Sequence, residues 1–175
     1  LGALRDPETT AGMIRGLFLF SPPRPDMRMN DVAAQVLVQV GRPALEPLLE
    51  LLRGENPRAL LLARHYISAV RERNAEAAAQ MNAETIVANE AAYALGQLGF
   101  REALEPLLQE TQSEDDMRKI GAAVALVSIN REEGDTPRIR EAIQRVYSEV
   151  PAESSMQLLV ATQHMIDPGA QEFLL

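Results

Sequence analysis

Arg42-Pro43-Ala44-Leu45-Glu46-Pro47-Leu48-Leu49 returns later in the chain as Arg101-Glu102-Ala103-Leu104-Glu105-Pro106-Leu107-Leu108, with only the second residue changed. Each copy follows an Ala/Val/Leu-rich stretch that closes on glycine, Val40-Gly41 and Leu98-Gly99. A glycine there can end a helix by taking a left-handed backbone, and the chain then turns back into a second helix. In that second helix Leu45, Leu48, Leu49 and Leu52 fall at i, i+3, i+4 and i+7, one apolar face. A single such hairpin cannot bury its apolar surface alone, so a recurring hairpin implies stacking of neighbours.

The same period extends outward in both directions. Val87, Ala91, Ala94, Leu95 and Leu98 share a face, as do Met117, Ile120, Val124 and Val127, and Ile139, Ala142, Ile143 and Val146. No segment alternates apolar and polar residues between turn signals, so the expected class is all-α. Helix starts are marked by Asp6-Pro7, Asn56-Pro57, Thr136-Pro137 and Asp167-Pro168, each a capping residue before a proline that loses no hydrogen bond. Asn82 is a further cap, and Ser113 with Asp116 reads as a capping box. The expected helices are 7–20, 30–40, 43–53, 58–79, 83–98, 101–111, 114–129, 137–148, 152–165 and 168–175. Pro47 and Pro106 are expected to cost a backbone bond and bend their helices.

These residues resemble the HEAT-repeat family in its short bacterial, phycobilisome-lyase-type form. The carrying text is Ala94-Leu95-Gly96-Gln97-Leu98-Gly99 followed by Ala103 to Leu108. Residues 30–53 match nearly as well, and the likeness is loose elsewhere. The resemblance implies a right-handed α-solenoid of stacked antiparallel helical hairpins, about four to five of them plus one inserted helix. It makes 1–175 a single HEAT-like repeat domain. The departure from the family pattern is 54–81, where an inserted helix is expected, with a degenerate hairpin as the other reading. Leu1–Leu4 looks like the tail of a helix, and Gln171-Glu172-Phe173-Leu174-Leu175 is not the polar cap of a finished stack. A fragment of a longer protein, or ends covered by a partner, is the corresponding expectation.

Composition narrows the function. The net charge is −8 and aromatics are 4% with no Trp, which argues against a nucleic-acid binder and against docking on an anionic membrane. There is no cysteine, so disulfides and thiolate-bound metals are excluded. That fits the cytoplasm without deciding against a periplasmic or secreted address. No apolar run approaches the roughly 20 residues that a membrane helix needs.

Chemistry-bearing patterns are missing. His65 and His164 stand far apart with no metal-ligand spacing. Glu132, Glu133 and Asp135 lack the alternating ligands of an EF-hand loop. No serine has a Gly-x-Ser-x-Gly context, and no glycine-rich phosphate loop exists. The reading is therefore no enzyme and no cofactor.

The family resemblance places the second helix of each hairpin on the concave face. The outward positions there are Glu46, Glu50, Arg53, Glu105, Gln109 and Glu110, then Arg138, Glu141 and Arg145. The expected function is a protein-interaction scaffold whose groove, acidic in its middle, takes a protein or peptide partner of basic character. The alternative is an architectural segment of a larger assembly that docks through its ends. Less favoured is an enzyme on a HEAT-like fold, of the DNA glycosylase or bilin lyase type.

Overall fold

The computed structural model describes residues 7–18, 29–129, 135–154, 156 and 158. Among them every regular element is helical. The order is α1 (Pro7–Gly16), α2 (Met29–Val40), α3 (Leu45–Leu52), α4 (Pro57–Arg71), α5 (Ala75–Ala79), α6 (Ala83–Leu98), α7 (Leu104–Glu110), α8 (Asp116–Ile129) and α9 (Thr136–Glu149). Short 3-10 turns, Arg42–Ala44 and Arg101–Ala103, lead into α3 and α7. The two copies of the repeated octapeptide thus adopt the same turn-to-helix conformation. The expected helix at 168–175, most of 152–165 and both chain ends lie outside the described residues.

Helix starts follow the capping chemistry read from the sequence, with corrections. Asn56 accepts from Ala59 N at 3.0 Å, and Asn82 accepts from Glu84 N at 2.8 Å and Thr85 N at 3.4 Å. The cap of α8 is Asp115 rather than Ser113. Its Oδ1 accepts from Met117 N and Arg118 N at 2.9 and 3.1 Å, while Ser113 Oγ accepts from Asp115 N one step earlier. The reason is reach: a carboxylate adjacent to the first helical residue meets two orphan N–H groups at once. At α9 the position before the helix is Asp135, and its side chain makes no capping bond.

The stretch expected as one helix over 58–79 is two. The chain leaves α4 after Arg71, and Asn74 restarts it as the cap of α5, accepting from Ala77 N at 3.0 Å. Pro47 and Pro106 do not interrupt their helices. Each is the third residue of its α-helix, where the N–H would have no partner inside the helix anyway. The 3-10 turn ahead of each proline absorbs the change of pitch. Both glycines that close the first helices need a positive φ, 75° at Gly41 and 67° at Gly99, but only Gly99 is in the left-handed helical region.

One apolar core runs through the described chain, from Ile14 and Leu17 to Val146 and Val150. Helix α6 is its axis, packing against α2, α3, α4 and α8. Helix α8 in turn packs against both α7 and α9. The α6–α8 approach depends on small residues: a Cβ on Gly96 would meet Ala125 Cα and O at 3.0 Å. Asn89 occupies the space that a side chain on Gly121 would need. At the start of these two helices Thr85 Oγ1 donates to Asp115 Oδ2, which ties their first turns together.

Candidate partner-binding surface

Because α7 and α9 both lie on α8, a cleft opens between them. It encloses about 450 Å³. Glu105, Pro106, Leu108, Gln109 and Gln112 line one wall, and Arg138, Glu141, Ala142 and Arg145 line the other. Both sets follow helical spacing, so each wall is one face of one helix. Leu108 and Ala142 give the cleft a partly apolar lining between polar edges.

Glu105 and Arg138 close one end of it. Arg138 Nη1 and Nη2 donate to Glu105 Oε1 and Oε2 at 2.7 and 3.0 Å, a fork-to-fork pair. The guanidinium holds the Glu105 carboxyl below its ordinary range, and the carboxylate holds the Arg138 guanidinium above its own. Both groups are exposed, so the pair sets geometry more than stability. At the other end Arg145 Nη2 donates to Thr111 Oγ1 at 3.1 Å, and that hydroxyl donates to Leu108 O at 2.7 Å. Arg145 Nε is buried and has no hydrogen-bond partner among the described residues. The side chains of Glu141, Gln109 and Gln112 make no hydrogen bond among the described residues. The cleft therefore presents unused donors and acceptors of both kinds, with two carboxylates balanced by two guanidinium groups.

Of the nine positions expected to meet a partner, five line this cleft: Glu105, Gln109, Arg138, Glu141 and Arg145. The other four lie elsewhere. Glu46 and Arg53 pair with one another on α3 at 2.9 Å, and Arg53 also holds Glu55 at 2.9 Å. Glu46 first, then Glu55, raises the Arg53 guanidinium above its ordinary value. Glu50 borders a separate pocket of about 330 Å³ between α1, α3 and α4, among Ile14, Phe18, Pro47 and Leu62. The Glu110 carboxylate, only 14% exposed, takes the Arg118 guanidinium, which also reaches Leu52 O at 3.4 Å. It is a tie between α3, α7 and α8. The middle of this face is thus acidic by count but not in free charge, because Arg53 and Arg138 occupy Glu46 and Glu105.

Gln112, Pro106, Leu108 and Ala142 belong to the cleft and were not singled out from sequence. Gln112 is one turn beyond Gln109, so helical spacing could have found it, whereas the same spacing assigns Ala142 to the buried face of α9. His65 is an exposed residue of α4. Among the described residues no group of three His, Asp or Glu side chains is arranged to hold a metal ion, and no helix is long and apolar enough to cross a membrane.

Residues 87–111 match the family model of the PBS lyase HEAT-like repeat. The match runs from inside α6, through the Gly99 turn, to the residue after α7. No curated protein was found to match the chain.

Proposed function

Proceeding from a chain that carries a HEAT-like repeat at 87–111, we propose that it is a piece of right-handed α-solenoid that binds a protein or peptide on the face of its second helices. In this reading α2–α3, α6–α7 and α8–α9 are successive hairpins, and α4–α5 is inserted between the first and second. First helices meet first helices in α2–α6 and α6–α8, and each second helix meets the next first helix in α3–α6 and α7–α8. Ion pairs repeat with the same step: Arg42 holds Glu102 at 2.5 Å, and Arg101, its counterpart in the next copy, holds Asp135 at 3.3 Å.

The observation that carries the binding reading is the α7–α9 cleft with its unused polar groups. Gln109, Gln112 and Glu141 line the cleft with donors and acceptors that no described residue uses, and the polar groups of a bound segment would engage them. The balanced charge of the cleft suits a segment of mixed polarity better than a purely basic tail. The chain works in this reading by holding a partner rather than by catalysis.

The test is selection of displayed peptides on the immobilised full chain, followed by titration of the selected peptides. A single consensus whose affinity falls at least roughly tenfold in a Gln109→Arg/Arg145→Gln double variant supports the cleft. Thermal melts of the variant control for folding. Absence of a consensus, or a consensus indifferent to the double variant, sinks the reading.

A further inference from the structure

Helix α4 is the basic element of an acidic protein. Residues 58–73 hold four arginines against Glu72, +3 for the segment and therefore −11 for the remainder of a chain whose total is −8. The packing decides where those charges go. Ala59, Ala63 and Ile67 are buried against the core, which turns Arg58, Leu61, Arg64, Ser68 and Arg71 outward along one stripe. At 1.5 Å per residue the stripe is about 20 Å long. Leu61 sits at its centre and is 54% exposed, an unusual place for a leucine with arginines on both sides.

A cleft of about 450 Å³ continues the stripe, between α4 and the start of α6. Arg64, Ser68 and Arg71 form its α4 wall, Asn82, Ala83 and the carboxylate of Glu84 come from the start of α6, and Ile67 and Met81 supply apolar surface. Arg64 makes only a 3.6 Å contact with Glu84, and Arg71 has no partner among the described residues.

We propose that the outer face of α4, with the cleft beside the start of α6, binds an acidic segment of a partner protein that carries an apolar residue between its carboxylates. The carboxylates meet Arg58, Arg64 and Arg71, and the apolar residue covers Leu61. A short peptide is favoured over a nucleic acid or an anionic membrane for two reasons. Ionic screening acts over about 8 Å at physiological salt, so a short segment feels the local arginines, whereas an extended polyanion also meets the −11 remainder. The exposed stripe carries no Phe, Tyr or Trp on which a base could stack; its ring is the imidazole of His65. This surface is separate from the α7–α9 cleft and does not depend on it.

The experiment is fluorescence anisotropy with the full chain and a labelled 12-residue Glu/Leu peptide. Its Lys/Leu counterpart, a labelled single-stranded oligonucleotide and phosphatidylserine vesicles are run beside it. The Glu/Leu peptide should bind, lose affinity roughly tenfold or more in Arg64→Gln/Arg71→Gln, weaken in Leu61→Ser, and be indifferent to Arg145→Gln in the other cleft. The substituted side chains are exposed, and unchanged thermal melts confirm that folding is intact. No binding of the Glu/Leu peptide, binding unmoved by the arginine substitutions, or tighter binding of the oligonucleotide or the vesicles would overturn the proposal.

Discussion

At the residue scale, two glycines that look alike in sequence act for different reasons. Gly99 is needed for its backbone, with φ at 67°, and Gly96 for its missing side chain, because Ala125 backbone atoms stand 3.0 Å from where a Cβ would be. Gly96→Ala should therefore cost about 1–3 kcal/mol by overpacking, since neither helix can move without disturbing the core on its other side. Gly99→Ala should cost about 1 kcal/mol or more from the left-handed backbone. Chemical denaturation of the two variants checks both, and a neutral Gly96→Ala would mean that α6 and α8 are not in such close contact. Asn82→Ala should cost about 1 kcal/mol, because two orphan N–H groups lose their acceptor. Capping residues of this kind were readable from sequence because the bonds are local. Ser113 was misassigned because Asp115, two residues on, offered the better acceptor to the same turn.

At the element scale, the repeated proline provides a test with a sign. If Pro106 interrupted its helix, replacing it by alanine would raise stability by about 3 kcal/mol. At the third helical position it interrupts nothing, and Pro106→Ala should instead lose about 0.4–1 kcal/mol by loosening the unfolded chain. Equilibrium denaturation distinguishes gain from loss. The 58–79 stretch shows the limit of reading elements from pattern. Every residue from Arg58 to Gln80 is compatible with helix, so the stop after Arg71 and the restart at Asn74 left only a weak mark. The site was legible to the same degree. Helical spacing put Glu105, Gln109, Arg138, Glu141 and Arg145 on outward faces of their helices, but said nothing of which neighbouring helix each would meet. Glu110 shows this: it is an outward position of α7 taken alone, and half-buried once Arg118 of α8 arrives.

At the scale of the whole molecule, α6 touches four other helices, while α1 and α9 are held mainly by one each. Stability should be graded accordingly. Amide hydrogen exchange should be slowest in α6 and in the facing part of α8, and fastest in α1, α5 and α9. Uniform protection would contradict the arrangement. The ion pairs between successive elements add a pH dependence. Arg138 holds Glu105 below the ordinary carboxylate range, and Glu102 is lowered by its own backbone N–H and then by Arg42. A depressed folded-state value contributes stability above the ordinary carboxylate value and loses it as pH falls through the depressed one. Melting temperature should therefore fall on acidification below about pH 5, less steeply in Glu105→Gln, and the difference should shrink in high salt because both partners are exposed. A Glu105→Gln profile parallel to the parent at low salt would show that the pair does not contribute.

The sequence alone determined the all-helical class, most helix starts and the repeated turn-to-helix unit. These depend on contacts within four residues, on caps and on a 3.6-residue period, which the chain carries wherever it goes. Only the tertiary structure decided which charges are already taken and which are free, and which side of α4 faces outward. Those outcomes depend on atoms of different helices brought together, 8 residues apart for Glu110 and Arg118 and 33 for Glu105 and Arg138. Glu105 meeting Arg138, Glu110 meeting Arg118 and Arg71 meeting no partner among the described residues are facts of helix-on-helix packing that no local pattern encodes.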